Sequence, residues 1–175
     1  MKIAIIGDFH IPSRANKIPF WIKEKLKKYS VDLILCTGDL TSKLVLKELK
    51  KISKTKTIKG NMDKEDYPEK IEIKIKGKKL KAIHGNQVYP RGNKDQLRYL
   101  AKESESDILI HGHTHKLDVA KIDELLLINP GSATGVWSGG SSGGKSSFII
   151  LEINDKIKVR KIYQDKEEEE EYELN

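Results

Sequence analysis

The sequence predicts an α/β fold that passes into an α+β second half, and three observations carry that prediction. Residues 2–59 alternate short apolar runs with segments of helical periodicity, the pattern of parallel βαβ units. From Lys70 onward, apolar residues alternate singly with charged ones and are interrupted by turn residues, the pattern of hairpins. At 175 residues the chain is long enough to bury about two thirds of its unfolded surface in one domain.

Residues 2–6 are a continuous apolar run after Lys2, read as a central strand and ended by Gly7. A loop marked by Pro12 follows, and Pro19 suits the first turn of a helix through Tyr29, with Phe20, Ile22, Leu26 and Tyr29 toward the core. Val31–Thr37 is a second buried strand, and Ser42–Ile52 a helix presenting Leu44, Val45, Leu46, Leu49 and Ile52. Thr55–Lys59 is a third strand before Gly60. Ile71, Ile73 and Ile75 then alternate with charges, turn at Gly77-Lys78, and pair with Leu80–His84. Residues 93–104 form a polar helix with Leu97, Leu100 and Ala101 inward. Asp107–His111 is a short strand, and Leu117–Ile122 with Leu125–Ile128 a hairpin around Asp123-Glu124. Asn129–Ser132 reads as a turn, and Phe148–Ile153 with Ile157–Tyr163 as the last hairpin. The Gly/Ser run 139–144 reads as a flexible loop tip or a lid. Residues 1–164 are expected to form one domain and 165–175 an acidic, frayed tail.

Composition narrows the function classes. The chain carries 33 basic and 26 acidic residues, net +7, but only Arg14, Arg91, Arg98 and Arg160 are arginine. The many lysines are scattered rather than gathered with aromatics into a groove, so nucleic acid is not expected as a partner except as substrate. No apolar run approaches the ~20 residues of a membrane-spanning helix and no leader pattern opens the chain; no membrane insertion and a cytoplasmic location are expected. The single cysteine, Cys36, lies in an apolar run and reads as a small buried hydrophobe.

The chemistry-bearing residues sit at strand ends: Gly7-Asp8-Phe9-His10, Gly38-Asp39, Gly60-Asn61, His84-Gly85 and Gly112-His113-Thr114-His115. Each set adjoins a glycine that permits a sharp turn, and carboxyl ends of parallel strands are where α/β sheets build sites. Two aspartates, one asparagine and four histidines give seven nitrogen and oxygen donors with no thiolate. That is too many for one tetrahedral ion and suits two divalent ions sharing a carboxylate. Such a pair fits phosphoryl transfer, where both ions neutralise the phosphate and activate water.

In this order the motifs G-D-x-H, G-D, G-N, H-G and G-H-T-H resemble those of the calcineurin-like metallophosphoesterases over nearly the whole chain. Gly7-Asp8-Phe9-His10-Ile11-Pro12, Cys36-Thr37-Gly38, His84–Val88 and Ile128–Gly135 are similar to the small branch that holds prokaryotic phosphodiesterases and the phosphoesterase-like retromer subunit. The resemblance implies a four-layer sandwich of two mixed sheets flanked by helices. It also implies two ions, Mn²⁺ foremost, with Ni²⁺, Mg²⁺ or Zn²⁺ as alternatives. Asp8, His10, Asp39 and His115 would hold the first, and Asp39, Asn61, His84 and His113 the second, with Asp8, Asp39, Asn61 and His84 central to catalysis. The implied activity is hydrolysis of a phosphodiester by a metal-activated hydroxide, weak on monoesters. Where larger relatives carry a histidine after the asparagine, this chain has Met62, whose thioether cannot donate a proton. Arg14, Asn16 and Asn86 are candidate substrate contacts, or simply exposed loop residues. His111 reads as a further site residue or as a buried support. The alternative reading from the same branch is a protein-binding scaffold with a residual metal pocket.

Overall fold

A computed structural model describes residues 1–138 and 143–174; the larger part of the Gly/Ser run read as a loop tip or lid lies outside them. Eleven strands and three helices follow in the order β1 Lys2–Ile6, α1 Phe20–Lys28, β2 Leu33–Cys36, α2 Lys43–Lys50, β3 Thr55–Thr57, β4 Lys70–Ile75, β5 Lys78–Ile83, α3 Lys94–Lys102, β6 Ile108–Ile110, β7 Leu117–Ile122, β8 Leu125–Pro130, β9 Ser147–Ile153, β10 Ile157–Tyr163 and β11 Glu167–Tyr172.

Two mixed sheets result. The first has the order β11-β10-β9-β1-β2-β3 and the second β4-β5-β6-β8-β7. β1, β2 and β3 run parallel, as do β5, β6 and β8, while hairpin partners are antiparallel.

Side-chain alternation explains the layering. Ile3 and Ile5 of β1 point into a core shared with Leu80 and Ala82 of β5 and with Ile108 and Ile110 of β6. Ala4 and Ile6 point the other way, onto Ile22 and Leu26 of α1 and Val45 and Leu49 of α2. Leu109 and Leu127 face Leu97 and Ala101 of α3. The molecule is therefore four layers: two helices, a sheet, a sheet and a helix. Central strands buried on both faces read as unbroken apolar runs for this reason.

Four expectations need correction. Phe20 is 71% exposed: it stands two positions before Ile22, about 200° around the helix and on the opposite face. Leu44 is exposed likewise, because only Val45 and Leu49 of α2 are fully buried. Asn129 and Pro130 extend β8, paired with Asp118 and Leu117, instead of turning. The acidic segment is a strand, not a frayed tail. β11 sets Glu171 opposite Lys158 and Glu169 opposite Arg160, with ion pairs at both places, and Lys161 and Lys25 bind Glu170 and Glu167. Cross-strand opposite charges stabilise a pairing that a run of like charges alone would oppose.

Candidate metal centre

The carboxyl ends of β1, β2 and β3 from one sheet meet those of β5 and β6 from the other. Hydrogen bonds across the seam, and one between the ends of β5 and β6, hold them in place. His113 N–H donates to Asp8 Oδ2 at 3.0 Å, His84 Nδ1–H to the Thr37 carbonyl at 2.7 Å, and Gly112 N–H to the His84 carbonyl at 2.9 Å. Asp8, His10, Asp39, His113 and His115 all adopt positive φ, between 48° and 68°. Non-glycine residues rarely take this conformation, and its clustering marks a site where strain is tolerated for function. Gly38, at φ +95°, could carry no side chain: a Cβ would lie 2.6 Å from the Gly60 nitrogen.

The donor atoms converge in two groups. In one, oxygen and nitrogen atoms of Asp8, His10 and His115 lie within 4.8 Å of one another; in the other, those of Asp8, Asp39 and His84 do. His10 Nε2 stands 3.0 Å from His115 Nε2 and 3.4 Å from Asp39 Oδ2. His84 Nε2 stands 3.1 Å from Asn61 Oδ1 and 3.5 Å from Asp39 Oδ2, and the His113 ring lies 5.1 Å from that of His84, centroid to centroid. The geometry thus brings together all seven residues singled out by the sequence. It also puts Asp8, with Asp39, between the two groups, where the sequence suggested Asp39 alone.

These residues fit divalent cations. His115 Nδ1–H donates to the Val136 carbonyl and His84 Nδ1–H to Thr37, so in each neutral ring the Nε2 lone pair points inward. Asp8 Oδ1 is buried with no hydrogen-bond partner among the described residues, as is His10 Nδ1. Inward lone pairs and an orphaned carboxylate oxygen in one buried cluster are costly unless a cation satisfies them.

Electrostatics reflect that tension. Burial raises the Asp8 carboxyl to about 7 and lowers His10 and His113 to about 4. The Arg14 charge adds to the lowering of His10, and that of Arg91 to the lowering of His113. Burial opposes a charge on His84 too, but Asp39 and Asp8 outweigh it and lift this one imidazole to about 9.

His111 is not among the converging donors. It is buried, its Nδ1 accepts from Asn129 Nδ2 at 3.2 Å, and burial lowers it to about 4. Asn129 Nδ2 also reaches the Gly112 carbonyl and Thr114 Oγ1, so this pair supports the turn that carries His113 and His115. A cleft of about 160 Å³ opens over the donors, lined by His10, Asp39, Asn61, His113 and His115 together with Ser138 and the exposed Arg14, Met62, Arg91 and Trp137, which form its mouth. Asn16 and Asn86 are exposed and do not line it.

Three contributors escaped the sequence reading. Asp63 is buried and accepts from the backbone N–H groups of Asp39 and Thr41 at 2.8 Å and Gly60 at 2.9 Å, fixing two ligand loops at once; the Gly-Asn-x-Asp turn pattern was its only local signal. Arg91 and Trp137 come from loops whose positions depend on the fold, although a tryptophan beside a Gly/Ser run is itself unusual.

A two-sheet α/β sandwich with a carboxylate–imidazole cradle at its seam defines a class of metal-binding hydrolases. The chain belongs to the calcineurin-like phosphoesterase superfamily, whose domain model matches residues 1–156. It is 42% identical over 162 residues to a probable metallophosphoesterase of Methanocaldococcus jannaschii, covering 93% of this chain and 81% of that one. Among solved structures it resembles Vps29 of Entamoeba histolytica complexed with Zn²⁺, at 33% identity and TM-score 0.90 over 100% of both chains. It also resembles an archaeal phosphodiesterase, at 26% identity and TM-score 0.71, over 93% of this chain and 99% of that one. No helix among the described residues is long and apolar enough to cross a membrane.

Proposed function

We propose that this chain is a metal-dependent phosphodiesterase with weak activity on monoesters. The observation that carries the reading is the convergence of donor atoms from Asp8, His10, Asp39, His84 and His115, with Asn61 and His113 beside His84 at one cleft and an orphaned carboxylate oxygen among them. We assign Asp8, His10, Asp39 and His115 to one ion and Asp39, Asn61, His84 and His113 to the other, with Mn²⁺ first and Ni²⁺, Mg²⁺ or Zn²⁺ as alternatives: the carboxylates suit Mn²⁺ or Mg²⁺ and the imidazoles Ni²⁺ or Zn²⁺. When bound, such ions neutralise phosphate charge and lower the pKa of water toward neutrality.

The chain's own groups do the rest. Hydrogen bonds donated by His84 Nδ1–H to the Thr37 carbonyl and by His115 Nδ1–H to the Val136 carbonyl fix each ring with its Nε2 lone pair inward. Arg14 at the mouth is placed to meet a non-bridging phosphate oxygen. Met62, 44% exposed at the mouth, supplies no proton to a departing oxygen, so turnover falls on esters whose leaving group is stable as an anion.

The test is to strip the protein with chelator, restore Mn²⁺, Ni²⁺, Mg²⁺ or Zn²⁺ separately, and compare bis(para-nitrophenyl) phosphate with para-nitrophenyl phosphate. Metal-restored turnover favouring the diester supports the reading. Binding of metal without turnover of either ester sinks it and favours the second reading, a protein-binding scaffold. That second reading draws on the Vps29 likeness, which spans both chains completely and is tighter than the likeness to the phosphodiesterase.

A further inference from the structure

Three consecutive carbonyls in the segment 136–138 are each held by a side chain of the cleft. Val136 O accepts from His115 Nδ1 at 2.8 Å, Trp137 O from Arg14 Nη1 at 2.5 Å, and Ser138 O from Arg91 Nη1. The loop after β1, the loop after β5 and the turn after β6 therefore converge on one short strap. Trp137 itself is 51% exposed, lines the mouth and carries the Arg14 guanidinium 5.1 Å from its ring centre. A large aromatic left half in solvent gains nothing for the core, and a strap held at three successive carbonyls fixes it at little further entropic cost on binding.

We infer that Trp137 is a stacking platform and that Arg14 and Arg91 are the cationic clamp that holds an anion beside it. Together they select phosphate esters that carry a planar aromatic group, a nucleobase or an aryl ring. Each guanidinium has five N–H donors and gives the strap one Nη1 contact, leaving further donors at the mouth for phosphate oxygens. Arg14 stands near His10 and His115, and Arg91 near His113, so one cation overlooks each donor group. Met62 on the same rim adds a polarisable contact for an aromatic ring. A phosphate over the donors and a flat group against Trp137 occupy the cleft together. The inference rests on the phosphodiesterase reading for the phosphate's place, but not for the recognition of the ring.

The experiment is ligand binding to the Mn²⁺-loaded full chain, read by tryptophan fluorescence quenching and, independently, by calorimetry. Thymidine monophosphate, phenyl phosphate and inorganic phosphate are compared. The expected result is that at least one aromatic ester binds about tenfold tighter than inorganic phosphate, in line with the usual gain from aromatic stacking, and quenches indole emission. The tighter of the two distinguishes a base held off by a sugar from a ring on the ester oxygen. In Trp137→Leu the preference collapses, and in Trp137→Phe most of it survives; Arg14→Ala and Arg91→Ala weaken all three anions. Equal affinities in the wild type, or a preference unchanged in Trp137→Leu, overturn the inference. If the diester assay fails while the Trp137-dependent preference is found, the phosphodiesterase reading falls and the recognition site stands. If hydrolysis succeeds without that preference, only the inference falls.

Discussion

His10 and His115 face each other Nε2 to Nε2 across 3.0 Å, although His115 has committed its only neutral-state proton to the Val136 carbonyl. In a metal-free pocket neutral His10 must therefore carry its proton on Nε2 and donate to His115, which leaves its buried Nδ1 as an unpartnered acceptor. A cation between the two rings would instead take both Nε2 lone pairs.

The first prediction concerns protons. His10 and His113, lowered to about 4, are neutral and metal-ready well below neutral pH. Asp8 at about 7 and His84 at about 9 still hold protons that a cation must displace. Metal affinity therefore rises with pH through the interval from about 6 to about 9, later than free imidazole at about 6.5 would suggest. Calorimetry at neutral pH in buffers of different ionisation enthalpy should show roughly one to two protons released as the site fills. No buffer dependence would contradict this account of His84 and Asp8.

Asp63→Asn should loosen both ligand loops without touching an ion. One carboxylate oxygen becomes an amide that faces backbone donors, leaving N–H groups of Asp39, Gly60 or Thr41 unsatisfied. The expected cost is about 1–3 kcal/mol of stability and a loss of about tenfold to a hundredfold in metal affinity. Denaturant unfolding and metal titration measure the two effects separately; wild-type values in both would show that Asp63 does not position Asp39.

Met62→His tests the missing acid. Position 62 lines the mouth while its N–H donates to Asp39 Oδ1 at 2.8 Å, so the backbone geometry does not depend on the side chain. Monoester kcat/KM should rise by about a hundredfold, the lower end of the usual range for a positioned general acid, and the diester value should change less. A uniform change in both esters would mean that proton donation does not limit the monoester.

Much of this centre was legible in the sequence because glycine, strand and ligand are neighbours in the chain: Gly7-Asp8, Gly38-Asp39 and Gly60-Asn61 each carry their own turn. Layering was legible for the same reason, since Ile3 to Ile6 or Ile108 to Ile110 read as buried on both faces. What escaped depends on non-local partners. Asp63 matters through the N–H groups of residues 39 and 41, and Glu167–Glu171 form a strand because Lys25, Lys158, Arg160 and Lys161 are brought against them. Phe20 is apolar in sequence but its angle on α1 turns it to solvent, a difference that composition alone does not carry.

Truncation after Asp165 tests the contribution of β11 and the residues that follow it. It uncovers the β10 edge and removes Leu174, 9% exposed and packed in the core between the sheets, together with the Tyr172 contact. Burial of that leucine alone is worth about 2 kcal/mol, with surface ion pairs adding about 0–1 kcal/mol each. Thermal unfolding should shift down by several degrees, while metal affinity stays unchanged because β11 lies at the far edge of its sheet from β3. An unaltered melting temperature would restore the frayed-tail reading.

The most direct measurement is the number of Mn²⁺ ions bound per chain at saturation, in the wild type and in the His113→Ala and His115→Ala variants. The account predicts two ions in the wild type and the weakening of a different one in each variant, with Asp39→Ala weakening both. A single ion per chain, lost with His115→Ala and indifferent to His113→Ala, would contradict it.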